Sequence, residues 1–331
     1  MGKEIPAPKW VNAFFHSFSQ VVLVENNISG LLILAAFFVF SWEAKNWNIG
    51  IIVVVAAIIG NVTAKLLGND DDAIAAGLFG FCPVLVGAAA AVFFAGTEAY
   101  IVAIIGSILV IPVTTMINKL CARIGLPGFT MPFIAMTWFF ILVSFGTGLL
   151  TSTGYLGGVR EGAVVVAENG LAANTFASGW EAVSASWLDA LTKGIGEIYL
   201  MDTVWGSLLI FLAFAIDRWH IAVKIALVIC FTLAMGIIFK VDMSTLTIGI
   251  YTYNAILVLM GLETFSTNKG EGAFSKSGKY WLLLLLGLVL VGLVDYALPT
   301  VLMPFALPSL TFPFVLTTWA LLWFEQHWTK A

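Results

Sequence analysis

Charged residues are scarce in this sequence. Of its 331 residues, 10% are charged and 60% are hydrophobic, whereas a soluble globular chain has about 25% and about 45–50% of these classes. Basic residues are few, with 15 Lys and Arg against 19 Asp and Glu, so no basic surface is available for a nucleic acid. A bilayer span takes about 20 apolar residues. With a mean hydropathy of +1.01, the chain is predicted to be an all-α polytopic membrane protein.

Sequence motifs for metal binding and for catalysis are also missing. The sequence has three cysteines and three histidines, with no CxxC spacing and no two histidines four residues apart, so neither a disulfide nor a metal site is predicted. It contains no Walker loop, GxSxG, HExxH or paired acid and base, so no enzyme activity and no cofactor are expected. The N-terminus MGKEIPAPKW has no apolar stretch before a small-residue cleavage site, and a removable signal peptide is therefore not expected.

Apolar runs divide the chain into two similar series. A Gly-, Ala-, Ser- and Asn-rich stretch between them is predicted to be an extramembrane connector. The divisions are a first transmembrane repeat at 1–150, a connector at 151–184 and a second transmembrane repeat at 185–331. A duplicated unit with an odd number of crossings gives inverted halves. The predicted spans are 16–26 with 28–42, 48–66, 73–95, 99–118, 132–150, 194–216, 220–241, 243–265, 279–300 and 313–326.

Two short segments, here called the proline segments, support the duplication. Residues 126–133 (LPGFTMPF) recur as 307–314 (LPSLTFPF) at a constant offset (311 − 130 = 181). Each has two prolines that interrupt a helix, and irregular backbone at membrane depth needs protein or a water-filled cavity around it. We predict a short re-entrant helix ending at Thr130 and another at Thr311, with both hydroxyls facing a path. The alternative is an ordinary interhelical turn at the membrane surface.

Gln20 and Glu197 occupy equivalent positions in apolar surroundings. A carboxylate facing lipid costs about 2.5–3.5 kcal/mol on the insertion scale, so Glu197 should face protein or water and is a candidate functional residue. The alternative is an interfacial Glu197 paired with Lys193, four residues earlier.

Four apolar or aromatic residues repeat at helical spacing. Phe81 with Leu85, and Tyr253 with Leu257, are each four residues apart and so share a helix face, where they would form flat walls. The alternative is that they are ordinary core or lipid-facing residues. The acidic residues 70–72 are interpreted as a helix N-cap and first turn, with a cation site as the alternative.

These motifs together resemble the urea transporter family. The duplicated LPxxTxPF segments, the stretch from Gln20 to Leu34 and the segment GLFGFCPVLVG at 77–87 occur in the family's order. The resemblance covers nearly the whole chain. It implies a bacterial member in the inner membrane, a multi-pass homotrimer, and in each protomer two inverted five-helix repeats, each with one short pore helix.

The resemblance also implies a selectivity filter for urea, in which oxygen atoms line a slot between apolar and aromatic walls. Leu23 stands where the family often has an aromatic residue, and Cys82-Pro83 replaces an Asn-containing pair that Tyr253-Asn254 retains. The implied substrate-binding residues are Gln20, Leu23, Phe81, Leu85, Thr130, Glu197, Leu200, Tyr253, Leu257 and Thr311.

Three functions follow from this sequence. The leading hypothesis is facilitated diffusion of urea across the lipid bilayer. The first alternative is an ion-coupled secondary transporter of a small neutral amide or other small solute, for which Glu197 and Asp295 are the obvious coupling groups. The second alternative is a membrane receptor or scaffold that transports nothing.

Overall fold

The structure is a computed structural model that describes residues 5–153, 187–270 apart from 240 and 242, and 272–328 apart from 273 and 275. Throughout these residues the regular structure is helical, apart from one isolated bridge between Phe94 and Ser152. The all-α prediction is confirmed. The predicted connector lies outside the described residues except for 151–153.

The first half begins with a broken helix and contains seven α-helices among its described residues. A single turn of 3-10 helix at Gln20–Val22 ends the first helix. The helices of this half are α1 (Lys9–Ser19), α2 (Asn27–Glu43), α3 (Asn48–Leu66), α4 (Asp71–Ala75), α5 (Phe81–Phe93), α6 (Gly96–Ala122) and α7 (Met131–Thr147).

The second half repeats this order of helices, except that two of them are joined into one. The counterparts of α2 and α3 form one long helix that is interrupted at Arg218, where φ is −153° and ψ is 100°. Single 3-10 turns lie at Glu197–Tyr199 and Met303–Phe305. The helices are α8 (Trp187–Gly196), α9 (Val204–Ile238), α10 (Met243–Ile248), α11 (Ile250–Phe265), α12 (Gly278–Leu302) and α13 (Phe312–Trp328).

Several helices have the length and composition of membrane spans. Within the described residues, α3, α6, α9 and the α12 segment (Gly278–Phe305) meet both criteria, and the bent pair of α1 and α2 adds a fifth. The outward side chains on these helices include Ile58, Ile105, Leu227 and Leu286, which are 43–61% exposed. An apolar surface of this kind suits contact with lipid, so the polytopic membrane prediction is confirmed.

Irregular backbone recurs in pairs along the two halves. Leu23 and Leu200 both adopt left-handed φ, at 57° and 59°, at the ends of the two equivalent 3-10 turns. A non-glycine residue in this region is uncommon. Phe129 and Leu310, 181 residues apart, share the same conformation with φ of 47° and 49°. The duplication seen in the sequence therefore extends to details of the backbone.

The halves contact each other reciprocally. The Trp138 indole N–H donates to the Pro308 carbonyl over 2.8 Å, and the Trp319 indole N–H donates to the Pro127 carbonyl over 2.7 Å. Trp319 and Pro308 are the counterparts of Trp138 and Pro127, each 181 residues further along the chain. An exchange of identical contacts is the property of a two-fold interface, so the halves are related by an approximate two-fold axis at the proline segments. That this axis lies in the membrane plane stays a prediction.

Glycines let the broken helices approach the helices that carry the wall residues. Gly77 and Gly249 have φ of 79° and 87° and precede α5 and α11. A Cβ at Gly77 would lie 2.5 Å from the His16 carbonyl carbon, and one at Gly249 would lie 2.2 Å from the Gly194 nitrogen. Both the conformation and the close approach therefore require glycine, and they hold α1 against the start of α5 and α8 against the start of α11.

The acidic stretch before α4 is a helix cap. The Asp70 carboxylate accepts from the Ala73 N–H over 2.9 Å, Asp71 pairs with Lys65 at 2.6 Å, and Asp72 pairs with Lys9 at 2.5 Å. The three carboxylates point to different partners. The capping interpretation is confirmed.

Candidate functional site

Thr130 and Thr311 meet where the two halves are in contact. Their hydroxyl oxygens are 2.7 Å apart, and the residues are 2% and 3% exposed. Each threonine directly precedes a helix, α7 or α13. Because the two residues are counterparts, their contact lies on the approximate two-fold axis. The sequence identified both residues, and the fold places their hydroxyls against each other.

The prediction of a short helix ending at each threonine is wrong. Residues 123–130 and 306–311 form turns and extended backbone, and helix begins only after each threonine. The two prolines of each segment explain this, because proline lacks the N–H that a helix interior needs and disfavours helix at the preceding residue. The residue before each threonine instead takes a left-handed conformation.

The broken helices lie elsewhere, at the start of each half. The first ends in the 3-10 turn at Gln20–Val22, and its axis then bends by 77° into α2. The Leu23 N–H donates to the Gln20 carbonyl, and the Leu200 N–H donates to the Glu197 carbonyl in the same way, at 3.0 Å and 3.1 Å. A helix C-terminus leaves its last carbonyls without partners in the helix. At these ends the Val24 N–H donates to the Ser19 carbonyl and the Met201 N–H to the Gly196 carbonyl. Because each carbonyl oxygen has two lone pairs, acceptor capacity remains beside Gln20 and Glu197.

Gln20 and Glu197 begin these two turns. Within the part of the chain that the structure describes, neither side chain has a hydrogen-bond partner. The proposed pairing of Glu197 with Lys193 is not formed, because the Lys193 ammonium contacts Asp202 at 2.8 Å and Asp189 at 3.5 Å. The acceptor groups of Gln20 and Glu197 remain available to a bound molecule.

The predicted wall residues lie on α5 and α11. Leu85 and Leu257 are 0% exposed, and Tyr253 is 8% exposed. The Tyr253 hydroxyl donates to the Leu310 carbonyl, so this ring is fixed to the second proline segment. Phe81, one turn before Leu85, is partly exposed.

Four of the predicted residues meet in one cavity of about 320 Å³ in the second half: Glu197, Leu200, Tyr253 and Thr311. Glu197 is the one charged side chain among the lining residues that the structure describes. At this cavity the Thr311 hydroxyl also contacts the Thr130 hydroxyl of the first half. The other predicted residues, Gln20, Leu23, Phe81, Leu85 and Leu257, are not among the residues that line this cavity.

Sequence reasoning missed two aromatic residues of the cavity and a polar brace behind it. Phe93 and Phe133 line the cavity, and Phe133 could have been found because it ends the first proline segment. The Asn254 amide donates to Asp295 over 2.7 Å, and its oxygen accepts from the Phe314 N–H over 3.3 Å. Asn254 thereby ties α11 and α12 to the start of α13.

Fold and site together define a multi-pass helical membrane protein with two-fold related halves and a polar site at their contact. A family model described as "urea transporter" matches residues 11–326. The chain belongs to the urea transporter family.

Curated relatives carry the same description. The chain is 27% identical to urea transporter 1 of Rattus norvegicus over 251 residues, which cover 74% of this chain and 60% of the relative. It is 28% identical to urea transporter 1 of Ovis aries over 208 residues, 61% of this chain and 49% of the relative. It is 30% identical to urea transporter 1 of Mus musculus over 194 residues, 56% and 45% of the two chains. The chain thus spans about half the length of the relatives that it matches.

Proposed function

We propose that this protein is a transport protein, not an enzyme, and that it conducts urea passively through a narrow slot between its two halves. Family membership supports the substrate. The observation that carries the mechanism is the buried contact between Thr130 and Thr311 at the two-fold axis. The paired hydroxyls lie at a cavity whose other lining residues are mostly apolar or aromatic.

The chemistry of urea fits this arrangement. Urea is planar and neutral, with four N–H donors and one carbonyl, and stripping its water in apolar surroundings costs several kcal/mol unless new hydrogen bonds form. The acceptors that would replace this water are the threonine hydroxyls, the side-chain oxygens of Gln20 and Glu197, and the carbonyls at the two helix ends. Glu197 and Thr311 line the same cavity. A hydrated ion would lose more hydration energy than these groups return.

The first alternative, ion coupling, has less support. It would require Glu197 and Asp295 to exchange an ion or proton during each cycle. The Asp295 Oδ1 atom accepts from Asn254, and Asn254 also contacts the start of α13. One oxygen of Asp295 therefore takes part in the packing of α11 against α12, whereas Oδ2 is buried without a hydrogen-bond partner.

A flux measurement tests the function. The purified protein is reconstituted in liposomes, and urea efflux is followed by light scattering with no ion gradient. We expect efflux well above that of empty liposomes, and no uphill accumulation when a sodium or proton gradient is imposed. Accumulation against a urea gradient would establish coupling, and absence of any flux would support the scaffold alternative.

Substitution of Glu197 by glutamine is expected to preserve urea conduction and to alter its rate. The amide keeps one acceptor oxygen in the same place but replaces the other by a donor, so we expect a change of about two- to fivefold. The rate is measured per reconstituted protomer. A rate equal to that of the wild type would place Glu197 outside the path.

Two further features stay predictions from the resemblance. They are the homotrimer and the bacterial inner membrane. Chemical cross-linking of the protein in native membranes would test the first.

A further inference from the structure

The two mouths of the proposed slot differ in charge. In the second half the cavity contains the Glu197 carboxylate, whereas the equivalent residue of the first half is Gln20, a neutral amide. A neutral permeant meets similar acceptors at both ends. A cation would meet a carboxylate at this position in the second half only.

The surroundings of Glu197 keep its charge uncompensated. Lys193 is the nearby cation, but its ammonium contacts Asp202 and Asp189, so Glu197 has no ion-pair partner among the described residues. At the same spacing, the counterparts of Lys193, Asp189 and Asp202 in the first half are His16, Asn12 and Glu25. These positions carry three carboxylates and one ammonium in the second half, including Glu197, but one carboxylate in the first half, so the larger negative charge lies in the second half.

The lining of the cavity includes aromatic rings on which a flat molecule can stack. The rings of Phe133 and Tyr253 lie beside Glu197 and Thr311 around a volume of about 320 Å³. A guanidinium group is planar like urea, binds a carboxylate through two parallel N–H bonds and stacks on aromatic faces. It carries N–H donors that match the acceptors proposed for urea.

The inner end of the cavity favours urea over a cation. There the Thr311 hydroxyl contacts the Thr130 hydroxyl, and both residues are buried. Neither side chain offers a counter-charge. A permanent cation that leaves Glu197 would enter an apolar region unpaired, at a large desolvation cost.

We propose that the Glu197 cavity is a binding site for small guanidinium cations, which enter from the second-half mouth, stop at Thr311 and block urea conduction from that side. This proposal rests on the passive urea conduction proposed above. It specifies a class of ligand that inhibits conduction and the side of the protein from which that ligand acts.

The test measures urea efflux from liposomes in guanidinium chloride at millimolar concentration and mildly alkaline pH, with sodium chloride at equal concentration as the ionic control. Guanidinium on both sides should remove most of the flux. Guanidinium outside alone should remove the fraction contributed by molecules whose Glu197 mouth faces outward. Glu197→Gln should raise the half-inhibitory concentration at least tenfold, with each variant compared with its own uninhibited rate.

The exchanged variant Gln20→Glu with Glu197→Gln provides the matched control. It should move the block to the opposite mouth, so that the fractions inhibited from outside in the wild type and in the exchanged variant add up to about one. If the exchanged variant does not conduct, Gln20→Glu alone serves instead, and outside guanidinium should then block molecules of both orientations.

Failure of this proposal differs from failure of the proposed function. Normal urea flux that guanidinium does not inhibit, or inhibits equally in Glu197→Gln, would overturn the guanidinium site and leave the urea channel standing. Absence of urea flux in the untreated protein would instead overturn the channel.

Discussion

Replacing Thr130 and Thr311 together by valine is expected to reduce urea flux about 30-fold. Valine nearly conserves the shape of threonine but removes the hydroxyl. Loss of a buried hydrogen-bonding partner costs about 1–3 kcal/mol, and about 1.4 kcal/mol is a factor of ten in rate. Each single substitution should therefore reduce the flux about tenfold. The double effect should be smaller than the product, because the two hydroxyls contact each other at 2.7 Å and residues in contact are energetically coupled.

The flux is measured in liposomes at matched protein density. Thr317→Val is the control, because the Thr317 hydroxyl is buried without a hydrogen-bond partner and the residue is not among those lining the cavity. Its flux should equal that of the wild type. A reduction in only one of the two single variants would argue against a symmetric site, and no reduction in either would place the threonines off the path.

Glu263→Gln is expected to lower the free energy of unfolding by about 3 kcal/mol. The Glu263 carboxylate contacts the Lys224 ammonium at 2.6 Å and the Lys276 ammonium at 3.4 Å, and the Tyr280 hydroxyl donates to it as well. The side chains of Glu263, Lys224 and Lys276 are 3%, 2% and 6% exposed. Removal of the Glu263 charge leaves the buried ammonium groups of Lys224 and Lys276 without a counter-charge. Breaking a buried ion pair in this way costs about 3–5 kcal/mol.

Unfolding of the detergent-solubilised protein by sodium dodecyl sulfate titration measures this effect. Asp72→Asn is the control, because it removes a carboxylate from an ion pair of 2.5 Å whose side chains are 68% and 80% exposed. Its unfolding curve should match that of the wild type, since exposed pairs contribute little. Urea flux per folded Glu263→Gln protomer should be unchanged, because Glu263 is not among the residues lining the cavity. Equal stability of Glu263→Gln and wild type would contradict the cluster's role.

The sequence predicted the helical runs well where a run is one straight helix. The run at 48–66 has the same bounds as α3, and the run at 99–118 lies within α6. One run was less successful. The run at 194–216 contains the end of α8, a 3-10 turn and the first part of α9, because apolar composition does not reveal the left-handed Leu200 that separates them.

The candidate site was predicted in part. Repetition identified Thr130 and Thr311, and the structure brings their hydroxyls together. Repetition also paired Gln20 with Glu197, although the sequence predicted a short helix at each proline segment, where the structure has turns and extended backbone. The Asn254–Asp295 contact spans 41 residues, and no local pattern predicts a contact of that range.

The sequence by itself determined that the chain is helical, embedded in a membrane and duplicated, because hydropathy and internal repetition are properties of residue order alone. Only the tertiary structure decided which breaks in the helices lie at the site and how the halves exchange the contacts of Trp138 and Trp319. These features depend on packing between residues up to 192 positions apart. That packing also holds non-glycine residues such as Leu23 and Leu310 in left-handed conformations, against their own local preference.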